Sequence, residues 1–336
     1  MLEKNNIYNC DCLEGLKSLE ENTIDSIVSD FPYNLSFMGR EWDTISNFYE
    51  WCNDRAKEML RVLKHGGYCL IFGGTRTHHR MVCAFEDAGF EIRDEIMWIN
   101  GSGFPKSYNV SKGFIKKDNI ELSKQWDGWG TALKPAHEPI MVAQKPIEKN
   151  YCYNLEKWGV GALNIDDSRI KNEGQGRFPA NLLLDEEASK LLDEQSGILK
   201  SGSNNISQTE GFFCEHGGLY HKGDVQVSYG DSGGASRFFY CAKATKKDKT
   251  DNKTVENTHP TVKPTELIKY LVRLVTPPKG LCLDVCEGSG THAKACIELT
   301  MEGYPVNFLG YEIEEEYYLL AKERIDKLLW GLDIYE

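Results

Sequence analysis

Short apolar runs alternate with amphipathic stretches at both ends of this chain. Asp25-Ser-Ile-Val-Ser29 reads as a buried strand stopping at Asp30. Asn47 to Leu63 carries helical spacing and is closed by Lys64-His-Gly-Gly67. Tyr68 to Phe72 predicts a strand, Arg76 to Asp87 a helix ended by Gly89, and Glu91 to Ile99 and Glu138 to Ala143 two further strands. Towards the other end, Thr265 to Val275 predicts a helix stopped by Pro277-Pro278. Leu281 to Val285 predicts a strand, Thr291 to Met301 a helix, Val306 to Tyr311 a strand, and Glu314 to Leu329 a helix. Strand and helix in alternation are the pattern of an α/β fold with a mostly parallel sheet.

The rhythm fails over residues 151–258, which are rich in Gly, Ser, Asn and Asp and include a lysine cluster at Lys243, Lys246, Lys247, Lys249 and Lys253. So long a structureless loop does not fit a compact domain, so the stretch is expected to be an inserted, partly irregular module. The expected division is therefore 1–150, 151–258 and 259–336.

Composition narrows the class. The chain has 336 residues, 40% of them hydrophobic and 27% charged, an ordinary globular balance. Neither a secretory apolar region nor a bilayer-length apolar run is present in the sequence, and the eleven cysteines form no zinc-type pairs. A cytoplasmic protein with reduced thiols, no membrane association and no metal is expected. The net charge of −12 argues against a polyanionic partner until its distribution is seen: residues 1–60 carry −7, residues 281–336 carry −8, and the middle carries +3.

Two strand-terminal loops carry candidate chemistry. Asp284-Val-Cys-Glu-Gly-Ser-Gly-Thr291 joins a strand to a helix, a place where backbone can approach an adenosine-containing cofactor at a helix N-terminus. Glu312, 22 residues past Gly290 at the end of the next strand, has the position of a ribose-binding carboxylate. A nicotinamide or flavin dinucleotide stays open on this spacing, as does a purely structural turn. The second loop is Asp30-Phe-Pro-Tyr33. The Asp30 carboxylate and a neighbouring carbonyl suit the two N–H bonds of an amine on a planar ring. Tyr33 suits stacking on that ring, for which the aromatic face rather than the hydroxyl is expected to matter. A strand-terminal turn with a packed tyrosine is the plain alternative.

The two loops in this order resemble those of the permuted (beta-class) S-adenosylmethionine-dependent DNA amino-methyltransferases. Four further stretches match: Asn9-Cys-Asp-Cys-Leu13, His259-Pro-Thr-Val-Lys-Pro264, and Gly101-Ser-Gly-Phe-Pro-Lys106 with Gly130-Thr-Ala-Leu-Lys-Pro135, the last two resembling phage- and prophage-type members. The resemblance implies a Rossmann-like α/β methyltransferase sheet with helices on both faces and an inserted target-recognition region at 151–258. It implies catalytic Asp30, Phe31, Pro32 and Tyr33. It also implies a cofactor site of Asp11, Thr261, Lys263, Asp284, Cys286, Gly288, Ser289, Gly290, Thr291 and Glu312. The implied cofactor is S-adenosylmethionine and the implied partner double-stranded DNA, with a homodimer and a cognate restriction nuclease as further partners to test. Asp30 at the head of its loop favours adenine N6 as the methyl acceptor. Cytosine N4, or a DNA-binding relative without turnover, are the alternatives. Phe31, Val285, Cys286 and Glu287 depart from the family pattern, and Glu287 is expected to add charge beside the cofactor.

Outside the loops, Trp126, Trp129 and Trp158 are expected to pack in the core or an interface, and His78 and His79 to lie on a solvated face. Arg169, Arg177 and Arg237 are weak candidates for reading guanine.

Overall fold

In the computed structural model the apolar runs become strands of one sheet, and the structure describes residues 3–36, 39–101, 103, 107–170, 176–202, 205–206, 225–226, 230–242 and 257–332. The elements in chain order are β1 Asn6–Asn9, α1 Cys12–Lys17, β2 Ile24–Asp30, α2 Phe48–Val62, β3 Leu63–Phe72, α3 His78–Ala88, β4 Glu91–Ile99, α4 Val110–Ile115, α5 Ile120–Gln125, β5 His137–Gln144 and α6 Tyr151–Trp158. They continue with β6 Leu182–Asp185, α7 Glu186–Ser196, β7 Leu199–Lys200, β8 Asn205–Ile206, β9 Val225–Gln226, β10 Ser232–Gly233 and β11 Tyr240–Ala242. Last come α8 Thr265–Val275, β12 Leu281–Asp284, α9 Thr291–Met301, β13 Asn307–Glu312 and α10 Glu315–Leu332.

Nine strands form the sheet in the order β1-β13-β12-β2-β3-β5-β4-β6-β11. Within this sheet only β5 runs antiparallel to its neighbours, and β7 with β10 and β8 with β9 form two small antiparallel pairs apart from it. Side chains alternate between the two faces, as the period of a strand requires. Leu70 and Phe72 enter one core with Leu267, Leu271, Ile297 and Ala321 of α8, α9 and α10. Cys69 and Ile71 enter the other with Leu16, Ala56, Met59 and Phe85 of α1, α2 and α3. Helix α2 shows why the sequence folds so. Asn47 caps it by accepting from Glu50 N, and Phe48, Cys52, Arg55, Ala56, Met59 and Val62 form one buried stripe at helical spacing. Among the described residues no helix is long and apolar enough to cross a membrane.

The stretch 151–258 is less separate than its composition predicts. Strand β6 pairs with β4 and β11 with β6, both in parallel, so the stretch extends the main sheet at its far edge. The reason is apolar: Leu183, Leu184 and Ala242 are buried there. Helix α6 is held through buried Asn154, whose amide donates to His65 O and Val160 O. The lysine cluster at 243–253 lies outside the described residues, as do Ser102 and residues 104–106 of the glycine-containing stretch after β4. At the other join, Leu63 pairs with Ile24 and starts β3 five residues before the expected Tyr68.

Candidate active site

The sheet reverses its order between β12 and β2, since the chain proceeds outward in opposite directions from that pair. Ligands in open α/β sheets bind at the carboxyl ends of the strands at such a point. Asp30 ends β2, Asp284 ends β12 and Glu312 ends β13, so the two candidate loops meet on one edge although 250 residues separate them in the chain. They line a single cavity of about 460 Å³, mostly apolar in its lining, a usual size for a small-molecule site.

The glycine loop forms one wall. Gly288 and Gly290 have φ of +57° and +83°, which only glycine adopts without strain, and the second opens α9. Gly290 itself does not line the cavity; it packs against Ala321, where an added Cβ would come within 3.0 Å. Glu312 accepts from Gly288 N at 2.7 Å and Glu314 N at 2.8 Å, and burial pushes its carboxyl up to about 7. Ser289 Oγ is held by Arg324 at 3.0 Å and Asn257 at 3.2 Å. Thr291 is buried at the first turn of α9. Asp284 accepts from Ser29 Oγ at 2.6 Å and Cys286 N at 2.9 Å; burial, followed by the charge of Glu287, raises it to about 8.

Glu287 differs from expectation. Its side chain is wholly buried under the loop, where it accepts from Ala293 N at 2.8 Å and pairs with His292 at 3.2 Å. It therefore caps α9 from within and adds no exposed charge beside a cofactor. Burial works against the charged His292 imidazole, but Cys296, Cys282 and Glu287 outweigh it and hold its pKa well above the ordinary value. Asp284, Glu287 and His292 bring three potential metal-ligand atoms within 4.8 Å. Their atoms are engaged with one another and with the backbone, so the group serves as an internal charge network.

Asp11 is first of all a helix cap. It accepts from Leu13 N at 2.8 Å and pairs with Arg55 at 2.8 Å, while still lining the cavity. Thr261 lines it too, its N donating to His259 Nδ1 at 3.3 Å. His259, the first residue of the stretch matched by resemblance, covers Gly288 with its ring edge-on to Tyr317 at 4.5 Å; burial lowers its pKa to about 4, so it is neutral.

The second loop forms the opposite wall. Asn34 N and Leu35 N donate to buried Asp43 at 2.7 and 3.0 Å, and Thr77 Oγ1 donates to Tyr33 O at 2.6 Å. Phe31 and Pro32 border the cavity. The Phe31 ring is buried against Trp51 and Phe85, at 5.2 and 5.9 Å between centroids, and is not available for stacking on a ligand. Asp30 Oδ1 is buried with no hydrogen-bond partner among the described residues. An acceptor left in that state costs roughly 1–3 kcal/mol, and the Asp30 side chain, 24% exposed, lines the cavity, where an amine N–H suits its carboxylate. Burial raises the Asp30 pKa, against the opposing charge of Lys263.

Two expectations change here. Lys263, assigned to the cofactor by resemblance, has its Nζ 2.6 Å from Asp30 Oδ2 and so belongs to the second loop's network. The Tyr33 hydroxyl, expected to be idle, donates to Glu138 Oε2 at 2.6 Å and accepts from Lys263 at 3.2 Å. Glu138 was read only as a strand residue. Because β5 is antiparallel, its first residues lie at the carboxyl ends of β2 and β3, and a charged residue there faces the cavity.

The remaining candidates take structural parts. Arg177 and Arg237 both pair with Asp231, at 2.6 and 3.5 Å, and Arg169 pairs with Asp166 at 2.9 Å, so none is presented to a base as it stands. His78 is not solvated; it pairs with Glu95 at 2.7 Å. Trp158 donates to Glu148 at 2.7 Å, whereas Trp129, edge-on to Trp126, is 60% exposed.

A family model described as DNA methylase matches residues 24–323, most of the chain. The type II methyltransferase M.HindIII of Haemophilus influenzae is 26% identical, with 95% of this chain and 94% of that protein covered. The type II methyltransferase M1.MboII of Moraxella bovis is 27% identical, with coverage of 94% and 95%. The solved structure of PvuII DNA methyltransferase (cytosine-N4-specific) aligns over 98% of this chain and 92% of its own, with a TM-score of 0.53 and 16% identity, a likeness of fold.

Proposed function

This chain belongs to the DNA methylases of the N6/N4 amino type, and on that premise we propose that it transfers a methyl group from S-adenosylmethionine to adenine N6 within a short sequence of double-stranded DNA. The observation that carries the reading is the Asp30 carboxylate, 24% exposed and paired with Lys263, in the wall of the cavity that the glycine loop and Glu312 also line. Asp30 at the head of its loop, the residue that resemblance associates with adenine, favours N6 over cytosine N4.

The residues present fit the cofactor. Glu312 would accept from the ribose hydroxyls, the amides of 286–289 would border the sugar and amino-acid portion, and Tyr317 with His259 would cover it. S-adenosylmethionine supplies an already electrophilic methyl group when bound, so the protein's task is mainly to position the acceptor. A base inside a duplex is out of reach and must leave the stack. Tyr33 would stack on it, an interaction worth about 1–3 kcal/mol per base. The Asp30 carboxylate and the Phe31 carbonyl would accept the two amino N–H bonds and turn the nitrogen lone pair out of conjugation. No covalent bond between enzyme and base is required.

The test is nucleoside analysis of DNA from cells expressing the chain, with methylation-sensitive sequencing to read the site. N6-methyldeoxyadenosine is expected; N4-methyldeoxycytidine would move the assignment to cytosine. Asp30→Ala should lower turnover roughly 10²–10³-fold, the scale of losing one charge-stabilising group, and leave the cofactor Kd unchanged. Near-parental methylation by that variant would refute the role of Asp30.

A further inference from the structure

One ammonium lies between two carboxylates in the cavity. Lys263 Nζ is 2.6 Å from Asp30 Oδ2 and 3.3 Å from Glu138 Oε2. The Tyr33 hydroxyl closes the set, donating to Glu138 at 2.6 Å and accepting from Lys263 at 3.2 Å. Lys263 is buried, whereas the Glu138 side chain keeps 28% of its surface exposed. We propose that Glu138 is a positioning residue of the methyl-transfer site: it shares the charge of Lys263, so that Asp30 keeps a net negative charge for the reacting amine, and it holds the Tyr33 ring in register through the hydroxyl. The proposal rests on the assignment of Asp30 to the base amino group.

The charge count gives the reason. Two carboxylates and one ammonium leave the set at −1, whereas Asp30 and Lys263 alone would be neutral. During transfer the C–S bond of the cofactor breaks as the N–C bond forms, the sulfonium becomes a neutral thioether, and positive charge appears on the amino nitrogen. That nitrogen then loses one proton, for which the Asp30 carboxylate is the acceptor at hand before release to water. With Glu138 the set passes from −1 to neutral. Without it the set would pass from neutral to +1, leaving a buried ammonium with no counter-ion, a costly state.

The titratable groups facing the set are Asp30 and Tyr33 from β2 and its loop, Lys263 and His259 from the segment before α8, and Glu138 from β5. Burial raises Asp30, Lys263 opposes this and Glu138 adds to it. Burial works to lower Lys263, but the two carboxylates outweigh it and the net shift is upward, so the ammonium persists. Removing the Glu138 charge therefore lowers the pKa of Asp30 and ties it more closely to Lys263.

Glu138→Gln isolates this effect, because an amide oxygen can still accept from Tyr33 while the charge is gone. Steady-state methylation of a defined duplex, measured against pH, should show kcat reduced about tenfold or more. The acid limb should move to lower pH, since the Glu138 charge is one of the causes that raise Asp30, with KM for S-adenosylmethionine unchanged. Glu138→Asp should keep the acid limb near its parental position. A Glu138→Gln enzyme with parental kcat and pH profile overturns the proposal. If Asp30→Ala is then still inactive, the base-loop assignment stands and only the role of Glu138 falls; if Asp30→Ala is active, the underlying reading falls first.

Discussion

Replacing Glu312 by alanine tests the cofactor wall most directly. Both of its oxygens already accept from backbone, Gly288 N at 2.7 Å and Glu314 N at 2.8 Å, which aims the remaining lone pairs at the cavity. A hydrogen bond to a charged acceptor contributes roughly 1.5–3 kcal/mol. Loss of one such bond to a ribose hydroxyl should weaken S-adenosylmethionine binding about 10- to 150-fold. The pH dependence carries a second signature. Burial raises the Glu312 pKa to about 7, and a diol that donates hydrogen bonds selects the ionised form. Binding must therefore expel a proton below that pH, and affinity should fall about fivefold between pH 7 and pH 6, because a carboxyl with a pKa of about 7 is half ionised at the first and about one-tenth ionised at the second. Asp284, raised to about 8, also titrates nearby, so the quantity to compare is the difference between parent and variant profiles. The assay is isothermal titration of S-adenosylmethionine into both proteins from pH 6 to 8.5, with thermal melting as a check on folding. An unchanged Kd in Glu312→Ala, with a profile parallel to the parent's, would refute the placement of the ribose at β13.

Two further outcomes follow from the same geometry. Tyr33→Phe should lower methylation about tenfold, since it removes a bond to a carboxylate and one from an ammonium; equal rates for parent and variant in a single-turnover assay would return the hydroxyl to idleness. Glu287→Ala should destabilise the fold by about 3 kcal/mol, because it strands the buried His292 imidazolium and uncaps α9. Urea unfolding checks this, and a midpoint within error of the parent's would contradict the internal charge network.

The edge of the sheet that builds the cavity was readable because its strands are apolar and end in charged residues or glycine. Thr265–Val275 matches its predicted span, and Leu281–Asp284 and Thr291–Met301 match theirs to within a residue. Asp30, Asp284 and Glu312 come together as strand ends must once the order of strands is known. What remained hidden depends on direction and partners that no local pattern carries. Glu138 faces the cavity only because β5 is antiparallel. Lys263 is drawn to Asp30, 233 residues away in the chain. Glu287 turns inward because His292 and the first amides of α9 lie beneath it. The two parallel strands inside 151–258 are only four and three residues long, too short for a periodic signal amid polar sequence.

The strand order also bears on how the protein is made. Strands β1 and β2 emerge early, with only α1 between them, yet in the finished sheet β13 and β12 stand between those two. At about 5–20 residues per second, roughly 15–60 s of synthesis separate the end of β2 from the end of β13. Throughout that interval β1 and one side of β2 have unpaired backbone edges, which invite association with other nascent chains. The Glu312 wall of the cavity is the last of the sheet to leave the ribosome. The unfinished chain thus holds the base loop without its opposite wall, and the gap in its sheet closes only when the carboxyl-terminal strands slot into it.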